Sequence, residues 1–266
     1  MPEISIVIPA YNEESRLPTT LTMVHEYLVG QGREFEIIVV DDGSLDHTIF
    51  MVETFAKHHE GVRLLSYSPN QGKGHAVRVG ILAARSDFIL IDDADGSSPI
   101  RELARLEKAL AEGFDIAIGS RAKHDPTRIV RALSYRKYIG NTFNLIVQSL
   151  LLPGIQDTQC GFKLFKREVA HDIFSVAHLD GYGFDVEALF IGRMRGYRVA
   201  EVPIDWTNMA GSKVNVLLDS PKMLLEVIEI WLGALSGRYK KTADKYSSHD
   251  ALLGLSQNVN IKDHSD

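Results

Sequence analysis

The densest group of reactive side chains in the chain follows an apolar run: Phe88-Ile-Leu-Ile-Asp92-Asp93-Ala94-Asp95-Gly96. Carboxylates this close repel one another, so they stay ionised together only when solvated or when a cation sits among them. Hard divalent ions such as Mg²⁺ or Mn²⁺ prefer oxygen ligands. Asp93 and Asp95 are therefore the candidate metal ligands, and a cation held there would be placed to handle a phosphate. An acidic turn is the competing reading, because Asp and Gly favour turns for local hydrogen-bonding reasons. A second acidic cluster, Asp41-Asp42-Gly43-Ser44, ends the run Phe35–Val40, and Pro9-Ala-Tyr11-Asn12-Glu13 ends the run Ile4–Ile8. Tyr11 can face a base or ribose, and Asp41 or Asp42 can accept from a uracil imide N–H. Lys73 lies between Gly72 and Gly74, so backbone can approach a phosphate with an ammonium at hand; a flexible surface turn explains the same residues.

The elements around these clusters alternate. Ile4–Ile8, Phe35–Val40, Val62–Tyr67, Phe88–Ile91 and Asp115–Gly119 read as strands, while Leu17–Val29, Thr48–His58, His75–Ala84 and Pro99–Leu110 have helical spacing. Pro9 removes a ladder donor and is expected to close the first strand. Such alternation implies right-handed crossovers and a mostly parallel, Rossmann-like sheet with helices on both faces, an α/β fold. Ligands bind outside the carboxyl ends of strands in such sheets. The loops at Pro9–Glu13, Asp41–Ser44 and Asp92–Gly96 converge on that edge, which favours a site over a turn.

The second half is more basic and more apolar. Arg128, Arg131, Arg136 and Lys137 are interleaved with Ile129, Val130, Leu133, Tyr135 and Tyr138. This is either a surface for a membrane or anionic acceptor, or a helix with a solvated basic face. Gln156-Asp157-Thr-Gln-Cys-Gly161-Phe-Lys163 is either a capped turn or an acceptor-side loop. Asp185 and Glu187 open a helix reaching Arg195, as a cap and a dipole partner or as site residues. Tyr197–Val202 reads as a strand, Trp206–Asn208 and Gly211–Lys213 as a loop, and Pro221 as the opening of a helix over Lys222–Leu235 whose apolar face is too wide for one neighbour. The expected organisation is one domain over 1–241, with a nucleotide-sugar half (1–125) and an acceptor half (126–241), and a polar, poorly ordered tail over 242–266.

The chain has 266 residues, 45% of them hydrophobic and 24% charged, with a net charge of -6. That composition is globular and gives no case for nucleic acid. The single cysteine, Cys160, excludes an internal disulfide. No apolar run approaches the roughly 20 residues that span a bilayer, and no signal peptide precedes Ile4. The expectation is a protein peripheral to the cytoplasmic face of a membrane. No Gly-x-x-x-x-Gly-Lys-Ser/Thr loop and no Gly-x-Gly-x-x-Gly after the first strand is present, which argues against an NTPase or a dehydrogenase.

Taken together, Pro9-Ala-Tyr-Asn-Glu13, Asp41-Asp-Gly-Ser44, Asn70-Gln-Gly-Lys-Gly74 and Asp93-Ala-Asp95 resemble a family 2 glycosyltransferase with the GT-A fold. Gly119-Ser-Arg121, Asp157-Thr-Gln-Cys-Gly-Phe-Lys163, Phe184-Asp-Val-Glu187 and Trp206-Thr with Gly211-Ser-Lys213 are similar to the dolichyl-phosphate β-glucosyltransferases, and next to the dolichyl-phosphate mannosyltransferases. The resemblance covers about residues 3–235 and departs in the N-terminal anchor of the eukaryotic glucosyltransferases, which implies a prokaryotic or peripheral enzyme. It implies an inverting transfer of a hexose, glucose from UDP-glucose, to the phosphate of a polyprenyl or dolichyl lipid. Mg²⁺ or Mn²⁺ would sit at Asp93 and Asp95, and the donor against Pro9, Tyr11, Glu13, Asp41, Asp42 and Lys73. A phosphate monoester, with a second pKa of about 6, is largely dianionic at neutral pH and needs no strong base. Arg121, Arg136 and Lys213 are the candidates to position it, and Asp157 is an acceptor-side base or orienting group. A GDP-mannose donor, a hydroxyl acceptor, nucleotidyl transfer, or an inactive sugar-nucleotide sensor are the alternatives.

Overall fold

In the computed structural model the described residues are 2–131, 144–209, 211, 216–240, 255 and 261–264. The apolar runs form the strands and the amphipathic runs cover them. In chain order the elements are β1 (Ile4–Ala10), α1 (Leu17–Gly30), β2 (Phe35–Asp42), α2 (Thr48–Ala56), β3 (Val62–Tyr67), α3 (Lys73–Ala83), β4 (Phe88–Ile91), α4 (Leu103–Ala111), β5 (Ile116–Ser120) and β6 (Val130–Arg131). They continue with β7 (Lys163–Lys166), α5 (Arg167–Phe174), α6 (Phe184–Met194), β8 (Val199–Pro203), β9 (Trp206–Thr207), α7 (Val216–Leu235) and β10 (Lys262–Asp263). Residues 144–150 are also helical. The main sheet runs β10-β3-β2-β1-β4-β7-β5-β8. The pairs of β1 with β2 and β4, of β2 with β3 and of β5 with β8 are parallel.

Strands this apolar on both sides need cover on both faces. Ile4, Ile6, Ile8, Ile37, Val39 and Leu64 pack with α1, α2 and α4 on one face. Val7, Ile38, Val40 and Leu65 pack with α3, α5, α6 and α7 on the other. The order reverses at β1, with β2 on one side and β4 on the other, so the loops after β1, β2 and β4 share one edge.

Several expectations are corrected. Pro9 does not end β1, which runs on to Ala10: pairing with β4 stops at Val7, so on that side no ladder bond is lost by the missing N–H. Strand β7 was not foreseen and is antiparallel to both β4 and β5. It brings the Gln156–Lys163 loop to the acidic edge. Trp206–Thr207 is not loop but pairs with Val130–Arg131. Helix α7 begins at Val216 and contains Pro221 rather than starting from it. At the end of the expected tail, Lys262–Asp263 adds an antiparallel edge strand to β3, fixed by Arg63 to Asp263 at 3.3 Å and Ser66 to His264 at 2.7 Å. Among the described residues no helix is long and apolar enough to cross a membrane.

Candidate active site

The first three loops are stitched together by short side chains. The Asn12 N–H donates to Ser44 Oγ at 2.8 Å, the Leu45 N–H to Asn12 Oδ1 at 2.7 Å, and the Glu13 N–H to Thr48 Oγ1 at 2.8 Å. Asn12 takes a positive φ of 54°, a conformation Asn tolerates better than most residues. Pro9 is buried and Tyr11 half-buried on this edge. The Glu13 carboxylate accepts from Arg16, through Nε at 2.7 Å and through Nη2. Arg16 in turn lies 3.6 Å from Asp95 Oδ2. The site thus holds a guanidinium that the sequence reading passed over, because nothing local links Arg16 to Asp95.

Asp41 and Asp42 fall on the last two residues of β2, and both are buried. Asp42 accepts from Asn70 Nδ2 at 2.7 Å, the Gln71 N–H at 2.7 Å and the Gly72 N–H at 2.9 Å, so it fixes the turn that carries Lys73. Asp41 Oδ2 accepts the Ser44 N–H at 3.0 Å, while Oδ1 has no hydrogen-bond partner. Burial raises the pKa of both above the usual carboxylate value, against these backbone bonds.

Beyond β4, Asp92 is fully buried, and burial, with Asp93 and Asp95 adding like charge, lifts its pKa well above the ordinary value. Its Oδ1 has no partner. Asp93 and Asp95 face outward and are half-buried. Lys73 Nζ donates to Asp93 Oδ1 at 2.5 Å, and the Ser97 N–H to Asp95 Oδ1 at 3.0 Å. Burial works to lower the Lys73 pKa, but Asp93 and then Asp185 outweigh it and leave it above the usual lysine value. Lys73 is therefore an ammonium at any physiological pH. Two hard carboxylates two residues apart, with a third buried behind them and Lys73 and Arg16 on either side, fit one divalent cation shared with a diphosphate, whose negative charge the two cations would also meet. Asp93 and Asp95 are the residues that would hold it.

The acceptor-side loop lies directly against these acids. A Cβ added at Gly161 would meet Asp93 Oδ2 at 2.1 Å, so only glycine lets this backbone lie on the carboxylate. Asp157 and Arg121, expected as separate acceptor-side residues, are partners. Asp157 Oδ2 accepts from the Arg121 N–H at 2.8 Å and Nε at 2.7 Å, and Oδ1 accepts from Nη2 at 2.7 Å. Burial pulls the Asp157 pKa up, but Arg121 more than reverses this and holds it below the usual carboxylate range. With both oxygens occupied by a guanidinium, Asp157 is placed to orient Arg121 rather than to take a proton. The Arg121 guanidinium also lies over the Trp206 ring, 5.3 Å from its centroid.

Behind this loop a second pair closes the site. Lys163 Nζ, fully buried, donates to the Cys160 carbonyl at 2.5 Å and to Asp185. Asp185 is thus not a helix cap; burial raises its pKa while Lys163 and Lys73 oppose that. Glu187 lies in the first turn of α6, where a dipole partner is expected, and it also accepts from the Leu179 N–H at 2.9 Å and from the Tyr239 hydroxyl at 2.9 Å. Arg128 is engaged within the chain, with Glu102 at 3.3 Å and Asp205 at 3.7 Å, and Arg131 is exposed. Arg136 and Lys213 lie outside the described residues.

Comparison with known proteins agrees with this arrangement. The model of the family described as "Glycosyl transferase family 2" matches residues 5–174. The protein named dolichyl-phosphate beta-glucosyltransferase in Mus musculus is 36% identical over 251 residues, covering 90% of this chain and 78% of that protein. Its namesake in Saccharomyces cerevisiae is 35% identical over 255 residues, covering 89% and 76%. Among solved structures, glucosyl-3-phosphoglycerate synthase from Mycobacterium tuberculosis, in complex with Mn²⁺, uridine diphosphate and phosphoglyceric acid, superposes with a TM-score of 0.65 at 21% identity, covering 91% of this chain and 80% of that one. That likeness concerns the fold, which is GT-A. With the family match over 5–174 and such identity over about nine tenths of its length, the chain belongs to glycosyl transferase family 2.

Proposed function

We propose that this glycosyltransferase moves glucose from UDP-glucose to the phosphate of a polyprenyl or dolichyl lipid, with inversion, giving a β-linked lipid-phosphate sugar. The observation that carries the reading is the set of relatives named dolichyl-phosphate beta-glucosyltransferase, each matching this chain over most of its length. The geometry suits it: the acceptor-side loop at Gly161 touches the acid pair of the donor side. Uracil would be read by Asp41, whose Oδ1 has no hydrogen-bond partner among the described residues, beside Tyr11 and Pro9, and Glu13 is braced by Arg16. A divalent ion at Asp93 and Asp95, Mg²⁺ or Mn²⁺, would neutralise charge on the departing diphosphate. Lys73 and Arg16 are placed to meet the same charge. An acceptor phosphate oxygen attacks the anomeric carbon as the bond from that carbon to UDP breaks. Arg121, held by Asp157, orients the acceptor, with Arg136 and Lys213 as further candidates. No general base is required, since the nucleophile arrives ionised.

The outer face of α7 supports work at a lipid surface. Leu224, Leu225, Ile228, Trp231, Leu232 and Leu235 are all exposed, and Lys222, Arg238 and Lys240 flank them. An anionic leaflet is the surface of matching chemistry. The test of the function is purified protein with labelled UDP-glucose or GDP-mannose, Mn²⁺ and polyprenyl phosphate. Label from UDP-glucose in the organic phase, with UDP inhibiting more strongly than GDP, supports it. Label from GDP-mannose instead would turn the assignment to mannosyl transfer.

A further inference from the structure

Lys73 is flanked by two glycines that cannot be replaced without moving a third loop. A Cβ at Gly72 would meet the Asp180 carbonyl oxygen at 2.4 Å, and one at Gly74 would meet the Leu179 carbonyl oxygen at 2.3 Å. The Gly74 N–H donates to the Asp180 carbonyl at 2.7 Å. The Asp180 carboxylate is anchored by Arg78 at 2.6 Å and His75 at 3.3 Å. The turn bearing Lys73 is therefore held by Asp42 on one side and by the 178–183 loop on the other. That loop rests on α7: Glu226 Oε2 accepts the Gly183 N–H at 2.8 Å. The Glu226 carboxylate also fills the space beside two glycines, since a Cβ at Gly181 would meet Oε1 at 2.2 Å and one at Gly183 would meet Oε2 at 2.6 Å.

We infer that Glu226, some way from the acid pair on a helix whose outer face is exposed, is a positioning residue that sets the place of Lys73 opposite Asp93. The inference rests on the donor-diphosphate reading of Lys73, and it makes the donor site depend on the seating of α7. The contact chain runs from the Glu226 carboxylate to the Gly183 N–H, through the Asp180 carbonyl to the Gly74 N–H, and so to the Lys73 ammonium 2.5 Å from Asp93. Loss of the carboxylate frees the loop, and with it the backbone against which Gly72 and Gly74 pack. Partners that orient metal ligands typically change affinity or activity by about 10–100-fold when removed, and the lower end suits Glu226, whose link to the Asp93 side chain runs through a loop and Lys73.

The experiment uses the full chain with UDP and Mn²⁺ in a calorimeter, and the rate at which a small acylating reagent modifies Lys73 relative to Lys123, read by mass spectrometry. Glu226→Ala should weaken UDP binding by about tenfold, leave the acceptor KM unchanged, and speed modification of Lys73. Glu226→Gln keeps an oxygen acceptor for the Gly183 N–H and should recover most of the loss. Gly181→Ala, whose new methyl displaces the same carboxylate, should reproduce the loss and add nothing when combined with Glu226→Ala, a non-additivity expected of residues acting as one unit. Unchanged UDP affinity and Lys73 reactivity in the folded variants would overturn the inference. A wild type that binds no UDP with Mn²⁺ would instead sink the donor reading, and Lys73 reactivity would still decide whether Glu226 positions that residue.

Discussion

Replacing Asp157 by Asn separates two accounts of this residue. In the structure both carboxylate oxygens accept from Arg121, which also donates its backbone N–H, and the Asp157 N–H donates to Glu201 Oε1 at 2.8 Å. Removing one partner of a buried ion pair costs about 3–5 kcal/mol. The Asp157 side chain is 2% exposed but that of Arg121 is 31% exposed, so the lower end applies, about 3 kcal/mol. For a domain of this size each kcal/mol moves the thermal midpoint by about 2–4 °C, giving a fall of about 6–12 °C. The sign of the pH dependence follows from the depressed pKa of Asp157 in the fold. The stabilisation is full above the unfolded value of about 3.9 and is lost as the pH falls through the folded value. Melting by circular dichroism at pH 7 and in steps below pH 4 should show a wide gap between wild type and variant that closes with acid. An Arg121→Ala variant should lose stability too, and the double variant should lose less than the sum. A variant that melts with the wild type at pH 7 yet has no turnover would refute the pairing account and return Asp157 to the role of base.

Asp95→Ala should abolish metal-dependent UDP binding in calorimetry while shifting the melting midpoint little, since its side chain is part-exposed and its ion pair with Arg16 is long at 3.6 Å; unchanged affinity with Mn²⁺ would contradict the metal assignment. His178 bonds Glu187 at 2.5 Å and Glu229 at 3.0 Å, and the bond to Glu187 raises its pKa against the effect of burial. Its contribution to stability is full below the unfolded value of about 6.5 and lost as the pH rises through the folded one. The melting gap between wild type and His178→Gln should therefore narrow from pH 6 to pH 9, and a widening gap would reverse the sign. Leu225→Glu with Leu232→Glu, both on the exposed face of α7, should reduce flotation with anionic vesicles without lowering the melting midpoint. Flotation unaltered by the pair would remove α7 from the docking surface.

What could be read from the chain was what local pattern specifies. Strands β1 to β5 and their helices announce themselves through apolar runs ended by acids and glycines, and the three loops converge because alternating strands and helices allow little else. Strand β7 was hidden: Lys163-Leu-Phe-Lys166 has only two apolar residues, and its pairing with β4 and β5 is antiparallel and made across long separations. The edge strand at Lys262–Asp263 is polar and exists by pairing with β3. Site residues were visible as types but not as partners. Asp42 looked free to read a base, yet its oxygens accept from Asn70, Gln71 and Gly72. Arg16 and Glu226 are not singled out by local pattern, since their links to Asp95 and to the Gly183 N–H span more than 20 positions, and Lys163, visible as the end of its loop motif, meets Asp185 from as far away.

The central claim is transfer of glucose, with inversion, from UDP-glucose to a lipid phosphate, and the product itself decides it. The product formed by the purified protein from UDP-glucose, Mn²⁺ and a short-chain polyprenyl phosphate should be isolated and its proton and phosphorus NMR spectra recorded. A β-anomeric proton coupled to the phosphorus of a lipid phosphodiester, formed one for one with UDP, is the predicted result. An α-anomeric product, glucose on a hydroxyl with the lipid phosphate unchanged, or release of pyrophosphate in place of UDP would contradict it.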